Sequence, residues 1–472
     1  MIVLILIIFL SIYLFIFFES IRKISSGNLE YILFYICTGL PFYATLQAQV
    51  FQIFENEIFV NLIKFSKDLI FFYAFIIFII GNKISLSKRA FSFSLVDKLF
   101  LIFTFFILVY TLIPLGEADI FSKIIYAKNL LIIPLTYCIG RNITFENRFF
   151  NKIIRIFFLL IITSSSLVFL EFLTSTHFHT LIEYSNYNLV VNEIDPEGNY
   201  GLSWSFESQG SSPRYASFFA DPLEFSASLI LFFSFILFYF HTGLKKVHFI
   251  FLFLIFISLF LSFSRGAIVA CLGVVLFSLL INKKYKILIS IFLSSIVFLF
   301  VLYNFSSEEI QYIIIDTIKF ENTSSLGHLI EWIEGILSIL DNPLGIGLAM
   351  SGNAGGVDQA LKVGGENQFL ILGVQMGAIA LFVYTLILFY VIIRAIKTFQ
   401  NSKNQQKHIS FIVACSKFGL LLPLLTANAE LYLFVSLATW FLVGNVESTY
   451  IKQLVEKKKY KMDFLKTSMK IK

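Results

Sequence analysis

The chain has 472 residues, of which 58% are hydrophobic, 18% aromatic and only 14% charged, with 59 Phe. Soluble domains average about 45–50% apolar and about 25% charged; these proportions exclude one large soluble core and predict an all-α, polytopic transmembrane helical bundle. A net charge of +6 is no nucleic-acid footprint when, as here, the basic residues are parcelled out among short connectors between apolar runs.

A span needs about 20 apolar residues to cross about 30 Å of hydrocarbon. The qualifying runs are roughly 2–18, 29–47, 67–82, 96–115, 122–140, 153–174, 222–241, 248–264, 266–282, 287–303, 368–393, 409–427 and 430–445. Residues 67–82 are short and 48–66 also fit an interfacial helix, so about 11–14 spans are expected. The first run, Ile2 to Phe18, has neither a basic flank nor a small-residue cleavage site and reads as a retained span. Cys37, Cys138, Cys271 and Cys415 all fall in apolar runs, which supports neither a disulfide framework nor a cysteine-based metal site.

Alternate connectors carry the basic residues: Arg22 and Lys23; Lys83, Lys88 and Arg89; Arg141, Arg148, Lys152 and Arg155; Lys245 and Lys246; Lys283, Lys284 and Lys286; Arg394, Lys397, Lys403 and Lys407; and the Lys-rich tail after Ile451. This asymmetry predicts that these connectors and the C-terminus face the cytoplasm. The expected division is N-terminal spans over 1–174, an extracytoplasmic loop over 175–221, spans over 222–303, a large extracytoplasmic loop over 304–367, spans over 368–445 and a basic cytoplasmic tail over 446–472.

Three features then share the outer face. The 175–221 loop is polar and aromatic, with His177, His179, Tyr184, Tyr187, Tyr200, Trp204 and several carboxylates. Aromatic faces beside carboxylates suit sugar binding, and aromatics also enrich any membrane interface. The second feature is the tight turn Ser262-Phe-Ser-Arg-Gly-Ala267. The third is the 304–367 loop, where Leu326, Leu329, Ile330, Ile333, Ile336, Leu337 and Leu340 recur at helical spacing until Asp341-Asn342-Pro343 stops them. His328 and Glu331 share one side of that helix. Pro343-Leu-Gly-Ile-Gly347, Gly352, Gly355, Gly356, Gly364 and Gly365 follow, and Glu366-Asn367-Gln368 opens the next span.

These stretches resemble the bacterial O-antigen ligases and polymerases. Arg214-Tyr-Ala-Ser-Phe-Phe-Ala-Asp-Pro222 resembles the family's Arg…Phe…Pro entry to a span, and Ser262-Phe-Ser-Arg-Gly-Ala267 its SRG turn. Asn342-Pro-Leu-Gly-Ile-Gly347, then Glu366-Asn-Gln-Phe-Leu370 and Gly377, resembles its glycine-rich loop and span entry. The resemblance covers roughly 200–395. It implies an inner-membrane glycosyltransferase that moves a glycan from an undecaprenyl-diphosphate carrier to an acceptor sugar hydroxyl, with neither metal nor cofactor. A repeat-unit polymerase is the expected form, with ligation to lipid A core as the alternative. The implied partners are the lipid-linked oligosaccharide, the acceptor glycan, membrane lipids and a chain-length regulator, with no nucleic acid.

Such a reaction needs charge neutralisation on a leaving diphosphate, which the planar fork of Arg supplies, and a base within reach of the acceptor hydroxyl. Arg265 and Arg214 are the candidate diphosphate contacts, with Arg265 counted among the catalytic residues. For the base the chain departs from the commoner pattern, since Glu366 stands where many relatives have His. Either Glu366 takes the proton, or it orients His328, which takes it, or both are structural. Glu331, Asn367, Gly345 and Gly347 are the further candidate substrate contacts; the glycines equally suit a turn after Pro343. A reading from a different class is a lipid-linked oligosaccharide flippase or transporter, for which Glu171 and Lys417 would be the ionisable residues in or near spans.

Overall fold

A computed structural model describes residues 2–85, 93–208, 212–243, 245–305, 311, 315, 323–352, 357 and 362–470. Lys88, Arg89, Ser211, Gly355 and Gly356 lie outside the described residues. The architecture is all-α, with a lone bridge between Glu207 and Pro213 in place of any strand among the described residues. Six of the described helices are long and apolar enough to cross a membrane. They are α5 (Leu95–Leu112), α6 (Ile120–Arg141), α7 (Asn147–Thr174), α10 (Pro222–Thr242), α15 (Gln368–Asn401) and Asn404–Thr426, which comprises α16 (Asn404–Gly419) and α17 (Leu421–Thr426). Shorter apolar helices are α11 (Lys246–Leu261), α12 (Arg265–Ile281) and the Tyr285–Val297 part of α13 (Tyr285–Phe305).

The N-terminal region departs from the simple run of spans. After α1 (Ile2–Ser25), the apolar stretch 29–47 is two helices, α2 (Tyr31–Gly39) and α3 (Tyr43–Phe54). Pro41 sits at the break, where it can donate no backbone hydrogen bond. The segments 48–66 and 67–82 are not separate either: α3 ends at Phe54, and α4 runs unbroken from Glu57 to Ser85.

Polar caps fix where the main helices start. Asp119 accepts from Phe121 and Ser122 N–H at the head of α6. Asp221 does the same from Leu223 and Glu224 at the head of α10, where Pro222 occupies the first helical position. Helix α14 spans Thr323–Asp341, ending where Asp341-Asn342-Pro343 predicts. The last helix, α18, continues from Leu433 to Lys470 through the basic tail.

The interior is held by close backbone contact and by buried polar hubs. A Cβ on Gly140 of α6 would lie 2.1 Å from the Phe441 carbonyl oxygen of α18, and one on Gly444 would lie 2.3 Å from that of Tyr137. Small residues let two membrane helices approach this far, so van der Waals packing replaces the hydrophobic drive that lipid does not supply. Beside this crossing, buried Glu430 accepts from Ser436 Oγ and Trp440 Nε1, each at 2.7 Å, and from the Tyr384 hydroxyl. The Lys417 ammonium stands 3.5 Å from the centre of the Trp440 ring. Glu171 accepts from Phe178 N–H (2.8 Å) and Ser217 N–H (2.9 Å), stapling the two ends of the 175–221 loop together. Both acids and Lys417 therefore have structural partners.

Candidate functional site

The tight turn after α11 is built around Phe263, which takes left-handed φ of 45°. Ser264 caps α12 by accepting from Ala267 N–H, and Arg265 is its first residue, with its side chain exposed. The 175–221 loop returns across this turn. Tyr215 N–H donates to the Leu261 carbonyl (3.2 Å), and Arg214 Nε donates to that of Ser262 (3.1 Å). The bond is made through Nε and uses neither terminal nitrogen. Burial lowers the Arg214 pKa, against the pull of Asp221; its guanidinium also feels Tyr432 and the like charge of Arg265. Two motifs separate in sequence thus form one cationic edge.

The third motif lies at the head of α15. Asn367 is buried and caps α15, its side-chain oxygen accepting from Phe369 and Leu370 N–H. Just before it, burial raises the Glu366 pKa; His328 opposes the shift, whereas Glu331 and Asp221 add to it. Asp221 is itself raised by burial, offset by its capping bonds and by Arg214. Tyr432, just before α18, completes the ring: it lies within electrostatic reach of Asp221, Glu366, Glu224 and Arg214. Neither Asp221 nor Tyr432 stands out in the sequence, although Asp221-Pro222 is part of a recognised stretch.

On α14, His328 Nδ1 is 3.7 Å from Glu331 Oε2. Glu331 raises the His328 pKa, and His328 lowers that of Glu331. Glu331 lies so close over Gly365 that a Cβ there would come 1.8 Å from Oε2. Gly364, at φ 71°, turns the chain against Gly335 of the same helix. The two glycines let the Glu366 loop press onto α14, which brings His328, Glu331 and Glu366 together.

Gly345 and Gly347 take a different place. Gly345 N–H donates to the Asn342 carbonyl and Gly347 N–H to that of Gln375. Ile346 N–H donates to Val374, and Ala378 N–H returns to Pro343. Helix α15 is broken at Gly377 (φ 83°, ψ 171°), and the Pro343–Gly347 loop fills that break. A Cβ on Gly347 would lie 2.1 Å from the Leu115 carbonyl oxygen. Gly345 N–H thus closes the turn after Asn342, and Gly347 N–H docks the loop onto α15. Buried Gln375 secures the same loop, accepting from Ala349 N–H and donating to Ser351 O and Tyr126 OH.

Lys123 donates to the Ile113 and Leu115 carbonyls and Lys128 pairs with Asp68 at 2.6 Å. In the 175–221 loop, His179 Nε2 meets the Phe219 carbonyl at 2.8 Å, and His177 is buried among Tyr200, Phe206 and Tyr215. Burial lowers their pKa values to about 3 and about 4, so both histidines are a neutral core of the loop. Tyr187 is buried there as well, bonded to Gln47, whereas Trp204 is exposed. Among the described residues, no three His, Cys, Asp or Glu side chains gather as a metal site would require.

Residues 249–385 match the family model described as O-Antigen ligase. Over that segment the chain is similar to the O-antigen ligases. No curated protein matches the chain. The matched segment runs from α11 into α15 and contains Arg265, His328, Glu331, Gly345, Gly347, Glu366 and Asn367. Arg214, Asp221 and Tyr432 lie outside the matched segment yet border the same cluster. Six helices long and apolar enough to cross a membrane accompany a segment similar to the O-antigen ligases, as expected of a multi-pass membrane protein that handles glycans.

Proposed function

We propose that this protein is a repeat-unit polymerase of the extracytoplasmic face, transferring a glycan from an undecaprenyl-diphosphate carrier to a sugar hydroxyl. The acceptor oxygen attacks the anomeric carbon of the donor as the bond from that carbon to the diphosphate oxygen breaks. The electron pair leaves with undecaprenyl diphosphate, and the acceptor proton passes to the Glu366 carboxylate. Arg214 and Arg265 neutralise the charge that develops on the diphosphate. His328 and Glu331 position Glu366 and the incoming sugar, and Asn367 holds the head of α15 beside them.

The observation that carries this reading is electrostatic: Glu366 and Arg214 act on the same tyrosine, Tyr432, with opposite sign, and Arg214 in turn feels Arg265. A partly buried carboxyl with a raised pKa suits a base. The heads of α10, α12 and α15 add the positive ends of three helix dipoles to the two arginines. No chemistry in this scheme needs a metal, a nucleotide sugar or a chain-length regulator, although such a regulator would act on the length of the product.

The family description also fits a ligase that joins finished glycan to lipid A core. A deletion strain distinguishes the two. Loss of long polymer from the carrier supports the polymerase; polymer that persists on the carrier but vanishes from the final acceptor supports the ligase. A flippase would carry the intact lipid-linked oligosaccharide across the bilayer and form no new glycosidic bond.

A further inference from the structure

At the basic edge of the bundle, away from the O-antigen ligase motifs, the end of α1, the turn into α2 and the first turns of α7 enclose a cavity of about 720 Å³. Four cations line it: Lys23 from α1, and Arg148, Lys152 and Arg155 from α7. Against them stand two carboxylates, Glu30 and Glu146, and no ion pair within 4.0 Å ties these cations to a carboxylate among the described residues. The rings of Tyr31 and Phe149, 5.5 Å apart, form an aromatic wall. Lys152 Nζ is held 4.9 Å from the Tyr31 ring centre and 3.8 Å from that of Phe34.

We propose that this cavity binds the phosphate-bearing headgroup of an anionic phospholipid from the basic-side leaflet. Like charges are costly to gather in one concavity unless an anion joins them, and Arg forks match phosphate oxygens in pairs. Basic pockets between membrane helices on the cytoplasmic side are suited to such headgroups. The surroundings favour a lipid over a soluble phosphate. Leu159 and Ile162 continue the Arg155 face of α7 at helical spacing and are exposed, as are Phe15 and Phe18 of α1. A headgroup in the cavity would lay its acyl chains along these apolar surfaces. The two connectors that meet here both belong to the basic set, so the site draws on the same charge asymmetry that orients the chain.

The test uses the full-length protein in detergent, stripped of lipid, with its melting temperature followed on adding defined probes. Phosphatidylglycerol or cardiolipin should raise it by several degrees, phosphatidylcholine should do so by much less, and millimolar inorganic phosphate should leave it unmoved. In the Arg148→Gln/Arg155→Gln variant the anionic-lipid shift should fall to half or less, while the melting temperature in phosphatidylcholine stays that of the wild type. Lys403→Gln, on another basic connector, should retain the full shift. Equal stabilisation by phosphatidylcholine, or an undiminished shift in the double variant, overturns the proposal. A shift with inorganic phosphate that the double variant abolishes overturns the lipid assignment in favour of a soluble phosphate ligand.

Discussion

Arg214 Nε donates to the carbonyl oxygen of Ser262 at 3.1 Å, joining the return of the 175–221 loop to the turn between α11 and α12. The bond holds the guanidinium through Nε, where it feels the like charge of Arg265. If these two arginines stabilise a departing diphosphate, removal of either should lower kcat/KM about 10²- to 10³-fold, the cost typical of losing one preorganised stabiliser of developing charge. Arg→Lys should recover little, because an ammonium lacks the planar fork. The check is turnover of purified variants at wild-type expression and melting temperature.

Glu366 gives a pH signature. Burial raises its pKa above the ordinary carboxylate range, so a base at this position should lose activity as pH falls through that raised value. The acid limb of kcat/KM should therefore lie above about 4.3, the unperturbed value for Glu, and Glu366→Gln should cost about 10²- to 10⁴-fold. Stability runs in the opposite sense. A carboxyl whose folded pKa is raised contributes stability below its unfolded pKa and loses it as pH rises through the folded one. Glu366→Gln should thus become more stable relative to wild type as pH rises from acid through the raised carboxyl pKa, read as melting temperature against pH.

Tyr432 separates a participating hydroxyl from a packing ring. It lies within electrostatic reach of Asp221, Glu366, Glu224 and Arg214. Tyr432→Phe keeps the ring and should leave the melting temperature within a degree or two. Activity should drop about tenfold, the equivalent of roughly one charge-assisted hydrogen bond. Unchanged turnover would assign Tyr432 to packing alone.

The glycine loop makes a prediction about folding instead. Gly347 has φ of 116° and its Cβ position lies 2.1 Å from the Leu115 carbonyl oxygen. Gly347→Ala should destabilise the protein by about 2–4 kcal/mol, from overpacking combined with backbone strain, and lower its yield in membranes. Gly365→Ala meets Glu331 at Oε2 (1.8 Å) and also at Cβ (2.6 Å), so the loop itself must shift off α14. It should cost activity beyond its cost in stability, because it displaces the Glu366 loop from His328 and Glu331. Comparing the two variants by melting temperature and turnover distinguishes scaffold from site.

How much of this was legible in sequence depended on the range of the forces involved. Helix α14 was legible to within a residue at its end, because Leu326 to Leu340 keep helical period and Asp341-Asn342-Pro343 stops it. The external candidates were legible as types: Arg214, Arg265 and Glu366 are ionisable groups at the ends of apolar runs, where charge is costly without a partner. Long-range docking was not legible. Nothing local says that Gly345 and Gly347 serve a break in α15 at Gly377, or that Lys123 is spent on the carbonyls of Ile113 and Leu115. Pro41 divides 29–47 into two helices, whereas Pro134 lies inside α6 without ending it; tertiary packing decides which proline breaks a helix. Tyr432 was missed because one more aromatic at a membrane edge carries no signal of its own.

The account rests most directly on a reaction with purified protein and undecaprenyl-diphosphate-linked repeat units, with no nucleotide sugar present. The wild type should release undecaprenyl diphosphate in step with new glycosidic bonds on a lengthening lipid-linked glycan, and Arg214→Ala, Arg265→Ala and Glu366→Gln should each suppress both. Wild-type rates in all three variants, or a wild-type protein that forms no glycosidic bond under these conditions, would contradict it.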